Sequence, residues 1–305
     1  METGERAEEK GVDHRFEVVG IRQVWQPEHT RRRKGYEGKP VFSAVLLTMI
    51  VFGCLGCDLI MTKDPAYLDL RNSRIPPCRE FLFGTDTMGR DIFSMIWYGG
   101  RISLFIGVVS TIISTAAAIL FGAVSGCAPE RVDGLLMRLT EILLSVPGLL
   151  VAILLQAILG KANVVSISFV IGVTGWMNIA KIVRSEVRQI RNSEYVIASR
   201  CMGGSFLHIL WKHLTPGFIS SIMFMVVMNV RSAIVAESTL SFMGIGLPVE
   251  MITWGSMLSQ SENALLSNSW WIILIPGFFL ITTLVCITDL GNYLRRNMNH
   301  EESHF

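Results

Sequence analysis

Long apolar runs alternate with polar segments along this chain of 305 residues. A helix needs roughly 20 apolar residues to cross the hydrocarbon of a bilayer, and six of the runs are close to that length. The pattern therefore predicts an all-α, polytopic membrane protein with six transmembrane helices. The six runs are residues 41–61, 102–125, 135–159, 164–180, 218–240 and 270–290.

The composition agrees with a membrane protein rather than a soluble one. Hydrophobic residues make up 50% of the chain and charged residues 17%, whereas soluble domains carry roughly 25% charged residues. A soluble domain of this composition would need a very large core and would have little charged surface. The net charge of only +2 does not favour a nucleic-acid partner.

The polar segments define the remaining organisation of the chain. Residues 1–40 mix both charges, which predicts a cytoplasmic tail followed by an uncleaved first helix, 41–61. Residues 62–101 are predicted to be an extracytoplasmic loop with an amphipathic helix, 102–294 a five-helix core, and 295–305 a second tail. Basic residues cluster before the first run and after the fourth, so the positive-inside rule predicts that both termini are cytoplasmic.

Residues 185–216 form the longest polar, charged segment in the second half of the chain, between the fourth and fifth runs. Gly203 and Gly204 interrupt it, and each Gly in a helix interior costs about 1 kcal/mol relative to Ala. The pattern predicts two short helices that are joined by a glycine turn, end at Pro216 and lie along the membrane surface. The length and the paired helices favour a docking element for a soluble partner over an ordinary loop helix with solvated charges.

Residues 84–91, GTDTMGRD, look like a phosphate-binding loop, which reads GxxxxGK followed by Ser or Thr. Arg90 replaces the lysine of that motif, and Asp91 replaces its metal-binding hydroxyl. We expect instead that Asp86, Arg90 and Asp91 pair locally and fix the extracytoplasmic loop, ahead of an amphipathic helix at 92–98. Any nucleotide-driven energy must then come from another chain.

Two ionisable residues, Arg231 and Glu237, lie within the fifth run, where charge is costly and usually faces a bundle interior or a wet cavity. Two interpretations stand for Arg231. It lines a pathway and meets a substrate carboxylate, or it pairs with an acidic residue of a neighbouring helix or subunit. For Glu237 a structural or gating role is favoured over substrate contact. Ser241 and Met243, which follow closely, are further pathway candidates.

The sequence contains no metal or catalytic pattern. Cys54 and Cys57 form a C-x-x-C pair, but the pair lies in an apolar run without a second pair or a nearby His, which does not favour a redox or zinc site. His208 and His213 are too far apart around a helix to share a metal ion. There is no nucleophile–base arrangement, so we expect no catalytic residue and no metal in this chain.

Several stretches resemble one transporter family. EYVIASRCMG at 194–203 and ILWKHLTP at 209–216 are similar to the coupling motif of ABC importer permeases, although Ile197 stands where the family has Glu. FGTDTMGRDIFS at 83–94 and LSFMGIGLP at 240–248 resemble further motifs of the oligopeptide, dipeptide and nickel permeases. The long N-terminal tail and the position of these motifs resemble the second, C-type permease of that branch.

The resemblance implies a type I ABC importer permease fold and a subunit that forms half of the pathway for peptides, in the plasma membrane of a prokaryote. It implies a homologous permease, two ABC ATPase subunits and an extracytoplasmic binding protein as partners. This chain would bind no cofactor, and ATP and Mg would belong to the ATPases. Nickel or a metal chelate is the alternative cargo, and a secondary transporter is the alternative class, although the inverted repeats typical of that class are not evident. The residues implied in ATPase coupling are Glu194, Tyr195, Ala198, Ser199, Arg200, Gly203, Gly204, His213 and Pro216.

Overall fold

The described part of the chain is a bundle of α-helices. It is a computed structural model that describes residues 40–191, 199, 201–202, 215–248, 250–260, 264 and 267–301. Apart from loops and one isolated bridge between Thr85 and Asp91, these residues are helical. The helices are α1 (Val41–Leu55), α2 (Cys57–Ile60), α3 (Ile92–Cys127), α4 (Glu130–Ser145), α5 (Gly148–Leu159), α6 (Val164–Ile190), α7 (Thr215–Phe242), α8 (Trp254–Leu258) and α9 (Trp271–Glu301), with a 3₁₀ turn at Leu70–Asn72.

Each of the six apolar runs falls on one helix or on a pair of helices. By length and composition, α3, α6, α7 and α9 are each long and apolar enough to cross a membrane. α4 and α5 pass the same test together as one broken span, and α1 is a shorter apolar helix of 15 residues. The all-α membrane architecture predicted from the hydropathy pattern is therefore confirmed.

The third span is broken at Pro147, a residue type that interrupts helices. α4 and α5 meet at an angle of 87°. The ring of a proline disfavours the α conformation of the preceding residue, and Val146 is extended, with φ −90° and ψ 130°. Pro147 also lacks a backbone N–H, so it cannot continue the hydrogen bonding of α4, and α5 begins at Gly148.

The second span begins earlier than the sequence predicts. α3 starts at Ile92, so the expected separate amphipathic helix at 92–98 is instead the first two turns of one helix of 36 residues. Gly100 does not interrupt this helix, because it lies where α3 packs tightly against its neighbours. A side chain at Gly100 would overlap Cys54 and Trp254. Small residues allow such close approach, and the packing offsets the weak helix propensity of glycine.

α6 and α9 also continue past the predicted membrane boundaries. α6 ends at Ile190, so residues 185–190 of the predicted docking segment are part of the helix that forms the fourth span. α9 extends to Glu301, into the predicted second tail. An apolar run reports the part of a helix that lies in hydrocarbon, whereas backbone hydrogen bonds extend the helix beyond that part.

α3 packs along α6 and α7 at the centre of the bundle. Gly122 of α3 lies against Ala180 and Val183 of α6, and Gly172 of α6 lies against Ile113 of α3. At each of these glycines an added side chain would have no space, so the two helices are in close contact along their length. This contact positions the end of α6 that leads into residues 185–216.

Candidate functional site

The docking segment, residues 185–216, is described at its ends and at three residues within it. Ser199 is buried, whereas Met202 is exposed. Pro216 lies in the first turn of α7, where its missing N–H costs no helical hydrogen bond, so it marks the start of the fifth span. The other residues implied in ATPase coupling lie outside the described residues: Glu194, Tyr195, Ala198, Arg200, Gly203, Gly204 and His213.

A cluster of opposite charges holds the end of α6 that leads into the docking segment. Asp133, in the first turn of α4, has a side chain that is only 3% exposed. Its carboxylate accepts hydrogen bonds from Nε and Nη2 of Arg184 and lies 2.9 Å from Nη2 of Arg188. The hydroxyl of Ser125, on α3, donates to the same carboxylate at 2.6 Å. We call these four residues the Asp133 cluster.

A second contact ties the same end of α6 to α3. Nη1 of Arg191 donates to the carbonyl oxygen of Gly126 at 2.9 Å, and Gly126 itself packs against Val187. Both contacts lie at the junction between α3, which ends at Cys127, and α4, which begins at Glu130. The end of α6 is therefore fixed to both helices at this junction.

The sequence alone does not identify the Asp133 cluster. In the sequence, Arg184, Arg188 and Arg191 indicate only a cluster of positive charge after the fourth apolar run. Asp133 lies in the short polar link between the second and third runs. The one sequence feature that points to the cluster is the spacing of the three arginines, because residues three and four apart lie on one face of a helix. Their acidic partner lies 51 residues away from Arg184 in sequence. Breaking a fully buried ion pair costs about 3–5 kcal/mol, and the partial exposure of the two arginines, 25% and 36%, reduces that cost here.

Glu237 is fully buried where three helices meet. Its carboxylate accepts hydrogen bonds from Oγ of Ser241 at 2.9 Å and from Oγ of Ser103, on α3, at 3.2 Å. Oγ of Ser103 in turn accepts the backbone N–H of Trp254, the first residue of α8, at 3.3 Å. Glu237 thus joins α7 to α3 and, through Ser103, to α8. This geometry favours a structural or gating role and leaves no part of Glu237 exposed to a substrate.

The other pathway candidates lie on or just beyond the same helix, in different surroundings. Arg231 is half-buried, and its Nε atom is buried without a hydrogen-bond partner in the described part of the chain. Ser241 is buried and donates to Glu237, while Met243, just beyond α7, is 51% exposed. Arg231 therefore keeps an unused donor, whereas the hydroxyl of Ser241 is already bonded.

The loop of residues 62–91 is fixed by a buried ion pair between Asp86 and Arg90. Nε of Arg90 lies 2.7 Å from the carboxylate of Asp86, and the two side chains are 6% and 1% exposed. The same carboxylate also accepts the backbone N–H of Met88 at 2.8 Å. Asp91 does not join this pair. Asp91 instead caps α3, because its carboxylate accepts the backbone N–H of Ser94 at 3.1 Å. N–H groups in the first turn of a helix have no partner within the helix, so such a side-chain acceptor stabilises the helix end.

The same loop packs on α9 and on the residues that follow α8. Nε1 of Trp271 donates to the carbonyl oxygen of Thr85 at 3.1 Å, and the hydroxyl of Thr87 donates to Gln260 at 2.8 Å. Five backbone N–H groups between residues 85 and 90 already donate to acceptors within the loop. The stretch that looks like a phosphate-binding loop therefore presents no ring of free N–H groups to a phosphate.

The C-x-x-C pair contributes to packing where α1 meets α2. Cys54 and Cys57 are buried free thiols, and Nη1 of Arg101 donates to Sγ of Cys57 at 3.4 Å. Within the described ranges, no group of three or more His, Cys, Asp or Glu side chains could hold a metal ion.

The chain is similar to membrane components of transport systems. The family model described as "Binding-protein-dependent transport system inner membrane component" matches residues 118–300, which include the Asp133 cluster, residues 185–216 and Glu237. The dipeptide transport system permease protein DppC of Bacillus subtilis (strain 168) is 37% identical over 251 residues, which cover 82% of this chain and 78% of that protein. The oligopeptide transport system permease protein OppC of the same organism is 36% identical over 247 residues, which cover 81% of this chain and 79% of that protein.

Proposed function

Because this chain belongs to the family of binding-protein-dependent transport system inner membrane components, we propose that it is a permease subunit of an ATP-driven peptide importer. It forms half of the translocation pathway, and a homologous permease forms the other half. The observation that carries the proposal is the similarity, over more than four fifths of the chain, to a dipeptide and an oligopeptide permease. Peptide is favoured over nickel or a metal chelate because both relatives are named for peptide transport.

The energy comes from two ABC ATPase subunits, which bind ATP and Mg and dock on residues 185–216. The position of this segment supports the assignment, because α6 leads into it and α7 leads away from it, and both helices are membrane spans. A displacement of the segment therefore acts directly on two spans. The backbone hydrogen bonding of residues 84–91 also supports a separate energy source, since those residues offer no phosphate cradle.

Residues 185–216 and both termini lie on the cytoplasmic side in this proposal. Arg184, Arg188 and Arg191 lie at or just after the end of α6, where the docking segment begins, whereas residues 243–269, between α7 and α9, contain no Lys or Arg. By the positive-inside rule this difference supports the orientation, whereas the five Lys and Arg of residues 62–91 count against it. Residues 62–91 and α8 then face the opposite side, where an extracytoplasmic binding protein delivers the peptide.

Arg231 is the pathway residue that meets a carboxylate of the peptide. Its buried Nε atom has no hydrogen-bond partner among the described residues, and an unpaired buried donor is costly until a ligand satisfies it. Glu237 and Ser241 instead hold α7 against α3 and α8, which is a gating position. Met243, exposed just beyond α7, is a second residue for contact with the peptide.

Purification of the tagged chain from native membranes tests the assignment. We expect an ABC ATPase and a second permease to co-purify with it. Proteoliposomes that contain this complex and its binding protein should accumulate labelled peptide only when ATP is present. Transport by the chain without any ATPase would contradict the proposal and favour a secondary transporter. ATP-dependent uptake of labelled nickel instead of peptide would overturn the assignment of peptide as the cargo and leave the rest of the proposal intact.

A further inference from the structure

The Asp133 cluster is the main fixed point of α4. Of the 16 residues of α4, only Asp133 and Thr140 are buried, and the hydroxyl of Thr140 donates within α4 itself. Pro129 precedes the helix and Pro147 follows it, so α4 is joined to α3 and α5 by bends rather than by continuous helix. α4 is therefore attached to the bundle chiefly through the carboxylate of Asp133.

The other half of the cluster belongs to the end of α6. Arg184 and Arg188 lie in the last two turns of this helix, which ends at Ile190, where the docking segment continues. Arg184 binds both carboxylate oxygens of Asp133, and a bidentate pair fixes direction as well as distance. Arg188 reaches the same carboxylate from the next turn. A shift or rotation of this end of α6 therefore carries Asp133 with it.

We propose that Asp133 is a positioning residue that transmits movement of residues 185–216 to the broken span formed by α4 and α5. The inference rests on the proposed function, because partner ATPase subunits must move the segment. It adds the contact through which that movement reaches the pathway. Asp133 touches neither nucleotide nor peptide. It acts through α4, whose far end turns by 87° into α5.

The test compares proteoliposomes that contain the full complex with wild-type chain, Asp133→Asn, Asp133→Glu or Glu141→Gln. Glu141 is the matched control, because it is exposed on α4 and forms no ion pair with the described residues. The readout is the amount of labelled peptide accumulated per ATP hydrolysed, which does not depend on how much complex assembles. We expect Asp133→Asn to lower this ratio about fivefold or more, within the usual range of coupling between sites, while ATP hydrolysis continues. Asp133→Glu should recover most of the ratio, and Glu141→Gln should match the wild type.

A second variant covers the case in which Asp133→Asn, with two guanidinium groups left unpaired, does not assemble. Arg188→Gln removes only the outer partner, whose side chain is 36% exposed, and Arg184 still neutralises Asp133. We expect the same direction of change, a lower amount of peptide per ATP, in an assembled complex. Arg138→Gln is its control, because Arg138 is an exposed arginine on α4.

Two results would overturn the inference. One is a wild-type ratio of peptide to ATP in Arg188→Gln and in any Asp133→Asn complex that assembles. The other is a parallel loss of uptake and ATP hydrolysis in Arg188→Gln, which is the result expected of a purely structural contact. A wild-type complex that accumulates no peptide with ATP would remove the proposed function itself, and this inference with it. The result for the wild-type complex therefore distinguishes failure of this inference from failure of the proposed function.

Discussion

The close contact between α3 and α6 predicts that even one added methyl group at Gly122 destabilises the protein. A Cβ atom placed on Gly122 lies 2.6 Å from the carbonyl oxygen of Ala180 and 2.8 Å from Cβ of Val183. Both atoms are attached to the backbone of α6, so neither can rotate away. Non-bonded atoms prefer separations of about 3.5–4.0 Å, so α3 and α6 must move apart by roughly 1 Å.

The size of the effect is the difference between two opposing contributions. Overpacking of a close-packed interior costs about 1–3 kcal/mol, and the rigid neighbours place Gly122→Ala near the upper value. Replacement of Gly by Ala within a helix gains about 1 kcal/mol, which leaves a net cost of about 2 kcal/mol. Gly134→Ala is the matched control, because a Cβ on Gly134, within α4, meets nothing within 4 Å. The control gains the helix propensity without the clash, so the two variants differ by about 3 kcal/mol.

Thermal denaturation of the detergent-purified chain, followed as the fraction that stays monodisperse after heating, measures this difference. For a chain of this size, 1 kcal/mol shifts the melting temperature by about 2–4 °C. We therefore expect Gly122→Ala to melt about 6–12 °C below Gly134→Ala and also below the wild type. Melting of Gly122→Ala at or above the temperature of Gly134→Ala would refute the reasoning, because α3 and α6 could then separate at no cost.

Three further predictions concern charged residues. Glu237→Leu, which leaves three serine hydroxyls without their acceptor, should lower the free energy of unfolding by about 2–4 kcal/mol, and Glu237→Gln should lower it by less. Equal melting temperatures for the two variants would contradict this. Asp86→Asn leaves a buried guanidinium unpaired and should make opening of its loop easier by about 3 kcal/mol, measured by hydrogen exchange. Glu80→Gln, at an exposed ion pair, should change loop opening by less than about 1 kcal/mol, and a similar effect for both variants would refute the role of burial. Arg231→Gln should reduce ATP-dependent peptide uptake about tenfold, because hydrogen bonds to charged groups contribute about 1.5–3 kcal/mol, and Arg231→Lys should retain more uptake. Unchanged uptake would favour a structural partner for Arg231.

The membrane spans are predictable from the sequence because hydropathy and proline act locally. The six apolar runs and the break at Pro147 follow from these two properties alone. The helix ends do not, as Gly100 illustrates. A glycine there lowers local helix propensity, but its contacts with Cys54 and Trp254, which are remote in sequence, keep α3 continuous. Helix continuity at such a position depends on tertiary packing, which no local pattern reports.

The candidate site shows the same division between local and remote causes. Glu237 stands out in the sequence because a charge within an apolar run is rare. Its partner Ser103, however, lies 134 residues earlier, and only the fold brings the two together. Asp133 lies in a polar link, where charge is ordinary, so its burial is not predictable without Arg184. The coupling residues of 185–216 rest on family resemblance, and most of them lie outside the described residues, so their roles stay predictions.

The hydrogen bonds of α3 give the distance between the two ends of the proposed mechanism. Ser125 bonds to Asp133 near one end of α3, and Ser103 bonds to Glu237 toward the other. The two serines are 125 − 103 = 22 residues apart, which at 1.5 Å per residue separates them by about 33 Å, close to the roughly 30 Å of hydrocarbon in a bilayer. If the Asp133 cluster marks the cytoplasmic boundary, Glu237 lies at the opposite boundary rather than in the middle of the bilayer.

This placement separates the roles of the two charged residues in α7. Arg231 precedes Glu237 by six residues, so if Glu237 lies at the outer boundary, Arg231 lies about 9 Å deeper in the bilayer. With that orientation, Arg231, which has an unused donor, lies within the bilayer, and the fully bonded carboxylate of Glu237 lies at its outer boundary, next to α8. Because α3 is one unbroken helix between the two boundaries, it fixes their separation. In the proposed mechanism, movement that enters at the Asp133 cluster would therefore reach the pathway through the bend between α4 and α5 rather than through α3.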